Sequence, residues 1–187
     1  DPLRIALNDL AGRRGPVPRA SIRLDDDQIA AAVSTGELLP IDGGAWLIHP
    51  DAWARLVTRA ARALGAFHAA EPLRVGMPRD ALRSRLHLDP EPFEVVLGLL
   101  AGEGQVIVLE GGIVRAPDHA VRYTAAQEDA IRRLLREFDR APYAPPTAAQ
   151  AREIVGDAVL NSLLERGELV RISDDGLLRP DVLREWI

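Results

Sequence analysis

The sequence predicts a mainly α-helical protein with small β-hairpin wings, an α+β fold that repeats along the chain. Three segments share one pattern: a Gly that can end a helix, an apolar strand, a tight turn with an acidic residue and Gly, a second strand and a closing Pro-Asp. They cover residues 36–51, 104–118 and 167–181. Their first glycines lie 68 and 63 residues apart, which suits a small three-helix module. The repeat therefore predicts a tandem array of modules.

The stretch over residues 67–83 indicates which module repeats. A helix is predicted to end at His68, and Pro72 and Gly76 bracket a short extended piece. Pro78 is expected to open a new helix, because its missing N–H costs nothing in a first turn. Helix, short strand and helix form the front half of a winged-helix module, a variant of the helix-turn-helix. We therefore predict a tandem array of winged-helix modules.

Module one is expected to span residues 1–50. An apolar stripe at i, i+3, i+4 and i+7 predicts its first helix, and a weak second helix covers about 18–23. Asp25 is the expected N-cap of a third helix that runs to Thr35, since its carboxylate can accept from the free N–H groups of the first turn. The wing follows and ends at Ile48. The stripe consists of Leu3, Ala6, Leu7 and Leu10.

Module two, residues 51–121, opens with an amphipathic helix whose apolar face runs over about four turns. This helix leaves the first wing almost without a linker, so we expect modules one and two to be rigidly joined, with Trp53 and Phe67 buried. The apolar face comprises Trp53, Leu56, Val57, Ala60, Leu64 and Phe67, and the opposite face carries Arg55, Arg59 and Arg62.

The rest of module two is predicted as a second helix over about 78–86, a third helix from 91 to 102 and a wing over 106–115. The third helix again has apolar residues at i, i+3, i+4 and i+7. We expect these four residues to be buried: Phe93, Val96, Leu97 and Leu100.

Module three is expected to span residues 122–187 and to include the start of a possible fourth module. Thr124 is the expected cap of its first helix, and Thr147 with Gln150 resembles a capping box for the second. A rigid extended piece, 142–146, separates the two, and the third helix is predicted over about 157–166. The apolar face of the first helix is formed by Ile131, Leu134, Leu135 and Phe138. Near the end, residues 180–187 mirror residues 50–57, the start of the first helix of module two.

The amino-acid composition limits the classes of function that are possible for this chain. The net charge of −5 argues against a general nucleic-acid binder, because phosphate binding needs clustered cations. The chain has no Cys, which excludes thiolate metal sites and fits a reducing compartment. No apolar run is long enough to span a membrane, and no signal peptide is visible. The chain opens with Asp1-Pro2 and not with Met, which suggests a fragment.

No constellation of catalytic residues is visible. The four histidines lie too far apart for a metal site and lack a His-x-x-x-His spacing. There is no nucleophile elbow and no phosphate-binding loop. We therefore predict a protein that is not an enzyme. The histidines are His49, His68, His87 and His119, and for His68 we expect a packing or helix-capping role.

The densest cationic group is the candidate for contact with RNA phosphates. It consists of Arg74, Arg79, Arg83 and Arg85. On a helix, the second and third of these are i, i+4 neighbours that share a face. The alternative is a solvated face partly paired with Glu71 and Asp80. A second group, Arg132, Arg133, Arg136 and Arg140, is accompanied by acids at helical spacing and is a weaker candidate.

Three parts of the sequence resemble the C-terminal extension of the bacterial selenocysteine-specific translation elongation factor. They are Phe67-His68…Pro72-Leu73-Arg74…Gly76-Met77-Pro78…Leu82-Arg83, then Gly104…Gly111-Gly112…Val114…His119, and the Phe138…Pro145-Pro146 junction. That family joins a GTPase to four winged-helix modules. Its last module binds a hairpin in selenoprotein mRNA, and the factor delivers selenocysteyl-tRNA to the ribosome at a UGA codon.

The resemblance implies that this chain corresponds to modules one to three, an adaptor arm between the GTPase and the distal module. The sequence has no Gly-x-x-x-x-Gly-Lys-Ser/Thr motif, so GTP and magnesium are expected only in the missing GTPase part, and no cofactor is expected here. The mRNA hairpin is expected to bind through the missing fourth module, and selenocysteyl-tRNA and the ribosome to bind the full-length factor. A cytoplasmic monomer is expected, with neither DNA nor membrane as a partner.

A DNA-binding winged-helix regulator and a protein–protein adaptor are the alternatives. In a DNA reader the third helix of a module presents polar or basic side chains to the major groove. Here that helix is acidic in module one, has no basic residue in module two, and offers only Asn161 and the terminal Arg166 in module three. The modules carry net charges of −2, −1 and −2. We therefore expect weak or no binding of the mRNA hairpin by these three modules.

Overall fold

The computed structural model of the chain describes residues 2–142 and 144–184. Over these residues, helices predominate and three small antiparallel sheets accompany them, which confirms the predicted α+β class. The predicted start of a possible fourth module lies partly outside the described residues, which end at 184. The chain forms two compact units: residues up to 67 with 76–118, and residues 68–75 with those from 119 on. This division is coarser than the three predicted modules, whose boundaries stay a prediction.

The first unit begins with two helices and a three-stranded sheet. The elements are α1 (Pro2–Gly12), β1 (Val17–Pro18), α2 (Asp26–Ser34), β2 (Leu39–Ile41) and β3 (Trp46–Ile48), and the strand order is β1-β3-β2. The predicted helix over 18–23 is wrong, because Pro18 pairs with Trp46 in the sheet and only a 3-10 turn, Arg19–Ser21, follows. Asp25 is the N-cap of α2, as predicted: it accepts from the Gln28 N–H at 2.8 Å in a capping box.

The first unit continues with α3 (Pro50–Ala70), β4 (Met77–Pro78), α4 (Arg79–Leu86), α5 (Pro90–Gly102), β5 (Ile107–Leu109) and β6 (Ile113–Arg115). Helix α3 passes the predicted end at His68, because nothing breaks the helix before Pro72. Pro78 was predicted to open a helix, but it lies in β4 and pairs with Ile113, so α4 begins one residue later. Both wings therefore gain a third strand, and the second sheet has the order β4-β6-β5.

Strand β3 is buried on both faces. Alternate residues of a strand point to opposite sides, and here Leu47 packs with α1 and α2, while Trp46 and Ile48 join a second cluster. We call this second cluster the shared core. Its buried members are Ile41, Trp46, Ile48, Ala52, Trp53, Leu56, Ala60, Leu64, Met77, Leu82, Leu86, Phe93, Val96, Leu97, Leu100, Val106 and Val114. The first wing is thus part of the packing around α3 and α5.

The predicted apolar faces of α3 and α5 are largely confirmed. All four residues predicted on α5 are buried, and so is Trp53 on α3. Phe67 differs, because it packs against the shared core but stays partly exposed near the end of α3. The prediction that Phe67 is buried was therefore only partly correct, because its side chain is half-buried.

Gly76 stands where β4 approaches β6. A Cβ at this position would lie 2.7 Å from the Val114 carbonyl oxygen and 2.7 Å from Cγ2 of Ile113. Glycine is needed here because it brings the two backbones together without a side chain.

Replacing Gly76 with Ala is expected to destabilise the first unit by about 1–3 kcal/mol, because the added methyl group forces β4 away from β6. Thermal unfolding followed by circular dichroism measures the loss. The control is Gly65→Ala in α3, where a Cβ would meet no atom within 4 Å and the helix should gain about 1 kcal/mol. If Gly76→Ala proves as stable as the wild type, the pairing of β4 with β6 is wrong.

The second unit contains α6 (Ala125–Arg140), α7 (Ala148–Val155), α8 (Asp157–Glu165), β7 (Val170–Arg171), β8 (Leu177–Leu178) and α9 (Pro180–Arg184). Thr124 and Thr147 cap α6 and α7 in full capping boxes, as predicted. The buried Ser162 hydroxyl accepts a hydrogen bond from the Tyr123 hydroxyl at 2.9 Å. Leu73, from the segment 68–75, packs against the core of this unit.

Candidate nucleic-acid interface

The four arginines predicted to contact RNA phosphates do not form one group within a single unit. Arg74 belongs to the second unit, while Arg79, Arg83 and Arg85 lie in α4 of the first. Whether any of them touches RNA stays a prediction. Their present partners, however, decide how much of each positive charge is available to a ligand.

Arg74 holds the segment 68–75 against α8. Its Nε lies 2.5 Å from Oε1 of Glu165, and the other carboxylate oxygen of Glu165 accepts from the Val75 N–H at 3.1 Å. The Arg74 carbonyl is 2.9 Å from Nε2 of His119. A carbonyl can only accept, so this ring nitrogen carries the hydrogen. The charge of Arg74 is therefore engaged by a carboxylate in a structural contact.

The three arginines of α4 differ in their partners. Arg79 donates from a single guanidinium nitrogen, Nη2, to both carboxylate oxygens of Glu94 on α5, and the contact is charge-assisted. Arg83 lies 3.4 Å from Asp80, the acid that the sequence suggested for pairing. Arg85 donates instead to the carbonyl of Ala63 in α3 at 3.1 Å. Among the described residues, Arg85 alone of the predicted set forms no ion pair with a carboxylate.

Two of the four histidines, His68 and His119, pack against each other. The rings of His68 and His119 are stacked, with centroids 3.5 Å apart and planes 10° from parallel. His68 is buried in this stack, in agreement with the packing role expected for it. Within the described part of the chain, no group of three or more metal-ligating side chains comes together.

The third helix of each predicted module presents acids and no cation. Helix α2 begins with Asp26 and Asp27, and Arg19 pairs with Asp26 at 2.7 Å. In α5 the exposed acid Glu94 already holds an arginine. Helix α8 begins with Asp157, which pairs with Arg152 at 2.5 Å. A helix of this kind repels DNA phosphates and lacks the basic side chains that read base edges in the major groove.

Two arginines of α3 have contacts that the sequence analysis missed. Arg55 donates to the carbonyls of Ala11 and Arg13 at the end of α1, and Arg59 donates to the carbonyl of Leu86 at the end of α4. The last carbonyls of a helix lack partners and carry partial negative charge, so a guanidinium stabilises them. The i, i+4 spacing was visible in the sequence, but the carbonyls come from distant segments.

The surroundings of Arg59 are rich in positive charge. Burial lowers the pKa of Arg59, and the nearby guanidinium groups of Arg14 and Arg55 lower it further. Within the described residues, neither these three arginines nor Arg62 forms an ion pair with a carboxylate. Positive charge is therefore concentrated around the polar face of α3.

A comparison with models of known protein families gives a match for part of the chain. Residues 61–115 match the model of the elongation factor SelB winged helix. The chain carries a SelB-type winged-helix domain. The match covers less than a third of the sequence. No curated protein matches the chain.

The segment that matches the SelB winged helix lies mostly in the first unit and includes residues 68–75 of the second. It takes in the second half of α3, both helices α4 and α5, and the sheet β4-β6-β5, and these elements supply most of the shared core. Such a domain is not catalytic by itself. Across the described residues, no helix is long and apolar enough to cross a membrane.

Proposed function

We propose that this chain is the adaptor arm of a selenocysteine-specific translation elongation factor. It links the GTPase and tRNA-binding part to a distal module that binds the mRNA hairpin during selenocysteine incorporation at UGA. The match of residues 61–115 to the SelB winged helix carries the proposal. The partners of the whole factor are then selenocysteyl-tRNA, the ribosome and the selenoprotein mRNA, and its cofactors GTP and magnesium bind outside this chain. The factor acts in the cytoplasm, and the chain is a monomer.

The packing of the first unit supports a role in positioning. An arm can fix the position of one domain relative to another only if its own parts keep a fixed geometry. Here Trp46 and Ile48 of the first wing lie in one core with α3 and α5, and Arg55 ties α3 to the end of α1. The acidic third helices α2, α5 and α8 also fit an arm better than a DNA reader.

A chimeric factor tests the proposal. The first three winged-helix modules of a bacterial selenocysteine-specific factor are replaced by this chain, and readthrough of a UGA reporter is measured in a strain without its own factor. We expect readthrough that depends on the hairpin in the reporter mRNA. The control carries a flexible Gly-Ser linker in place of the chain and should give none.

Two results would contradict the proposal. If the flexible linker supports readthrough as well as the chain does, the chain is not a positioning arm. If the chimera binds hairpin and GTP yet gives no readthrough, the chain does not serve this factor. Sequence-selective binding of duplex DNA by the isolated chain would instead favour the DNA-binding regulator, and capture of a protein partner without RNA would favour the protein–protein adaptor.

A further inference from the structure

We infer that the polar face of α3 binds the phosphate backbone of an RNA without regard to its sequence. The residues are Arg14, Arg55, Arg59 and Arg62, which we call the α3 arginine face. The choice of RNA as the ligand rests on the proposed function. The surface differs from the sequence-predicted candidates, although one of them, Arg85, donates to a carbonyl of the same helix.

The spacing of the arginines makes one continuous surface. At about 100° per residue, the three helical members fall within an arc of about 60° and span about 10 Å along the axis. Two observations place Arg14 beside them. Arg55 donates to the carbonyl of the preceding residue, Arg13, and the charge of Arg14 lowers the pKa of Arg59. A row of cations on one helix face suits the repeated charges of a phosphate backbone.

Among the described residues, no member of this face forms an ion pair with a carboxylate. Helix α3 has one acid, Asp51, which lies at its first turn beside His49. By contrast, Arg74, Arg79 and Arg83 each face a carboxylate. The net charge of the protein is −5, so the four arginines of the α3 arginine face form a local positive patch on a protein that is negative as a whole. A bound phosphate would relieve the repulsion among them.

Two members of the face are held in place before any ligand arrives. The guanidinium groups of Arg55 and Arg59 are anchored by the carbonyls at the ends of α1 and α4, and each guanidinium has further N–H donors to offer. Ordering such side chains in advance lowers the entropy lost on binding. Arg14 and Arg62 are exposed and supply mobile charges at the edges.

The chemistry of the face favours phosphate over an acidic protein. A protein–protein interface is centred on buried apolar or aromatic anchors. Between the arginines, α3 exposes only small side chains, such as Ala54, Thr58 and Ala61. The exposed large apolar residues of the described chain are Ile5, Val108 and Ile172, and none of them lies on α3.

The test compares two double variants with the same change in net charge. Arg14→Gln/Arg62→Gln removes exposed members that hold no helix end, and Arg79→Gln/Arg83→Gln removes arginines that are already paired. Both are titrated against a fluorescently labelled RNA duplex of arbitrary sequence, with anisotropy measured from about 50 to about 200 mM salt. Thermal unfolding of each variant verifies that the fold is kept.

We expect the wild-type chain to bind with a salt slope of about −3 to −4, as four phosphate contacts require. The Arg14/Arg62 variant should lose about half of that slope and at least about tenfold in affinity at low salt. The Arg79/Arg83 variant should bind nearly as the wild type does. A second duplex of unrelated sequence should give the same affinities.

Three results would overturn the inference: equal losses in the two variants, no loss in the Arg14/Arg62 variant, or polyglutamate binding where RNA does not. The last would assign the face to an acidic protein. The chimera described above keeps the two proposals separate. If it supports readthrough while the isolated chain ignores RNA, the inference fails and the proposed function stands. If RNA binding follows the arginines but the chimera is inactive, the proposed function fails.

Discussion

Replacing Phe93 with Ala is expected to lower the free energy of unfolding of the first unit by about 3–5 kcal/mol. Phe93 is only 1% exposed and lies on the buried face of α5 within the shared core. Removing its ring loses the transfer free energy of a large apolar group and leaves a cavity that the surrounding helices fill only in part. Urea titration followed by tryptophan fluorescence measures the change, since Trp46 and Trp53 lie in the same core.

The control makes the same chemical change at a less buried position. Phe67 packs against the shared core but remains partly exposed, so Phe67→Ala should cost about half as much, because less apolar area is withdrawn from water. Equal costs for the two variants would mean that α5 is not seated in the core as the structure shows.

Patterns that depend on near neighbours were predicted well from the sequence. The stripe on α5 is buried at all four predicted positions, because helical periodicity depends only on spacing along the chain. The caps Asp25, Thr124 and Thr147 were found for the same reason, since each pairs with a residue three positions later. Such contacts form within one turn and need no tertiary structure.

Elements that exist through distant pairing were missed. Strands β1 and β4 have two residues each, too few to show an alternation. They become strands because β3 and β6 supply their partners. Pro18 and Pro78 resemble residues that start helices, because each stands immediately before a helical turn. In the structure, however, both are strand residues that pair with a neighbouring strand.

The candidate site illustrates the same limit. Counting cations along the sequence selected Arg74 and Arg79, but their carboxylate partners Glu165 and Glu94 are brought to them by the fold. The sequence also showed arginines spaced along α3 and suggested an ordinary polar face. Only the fold reveals that Arg55 and Arg59 contact helix ends, and that among the described residues none of these arginines forms an ion pair with a carboxylate.

Replacing Ile48 with Ala is expected to cost about 2–5 kcal/mol and to disturb the packing of α5 as well as that of the first wing. Ile48 is 1% exposed, and it points from β3 into the shared core. Its loss therefore leaves a cavity next to residues that lie far along the chain. Urea denaturation gives the cost, and methyl NMR shifts should change in the core residues of α3 and α5.

Leu47→Ala provides the matched control, since Leu47 is the adjacent residue, is fully buried, and packs on the opposite face of β3 with α1 and α2. It should cost a similar amount, because a similar volume is removed, but its shift changes should appear in α1 and α2. If both variants perturb the same methyl groups, β3 does not separate two clusters. If Ile48→Ala leaves α5 undisturbed, the first wing is not part of the shared core, and the argument for a rigid arm loses its main support.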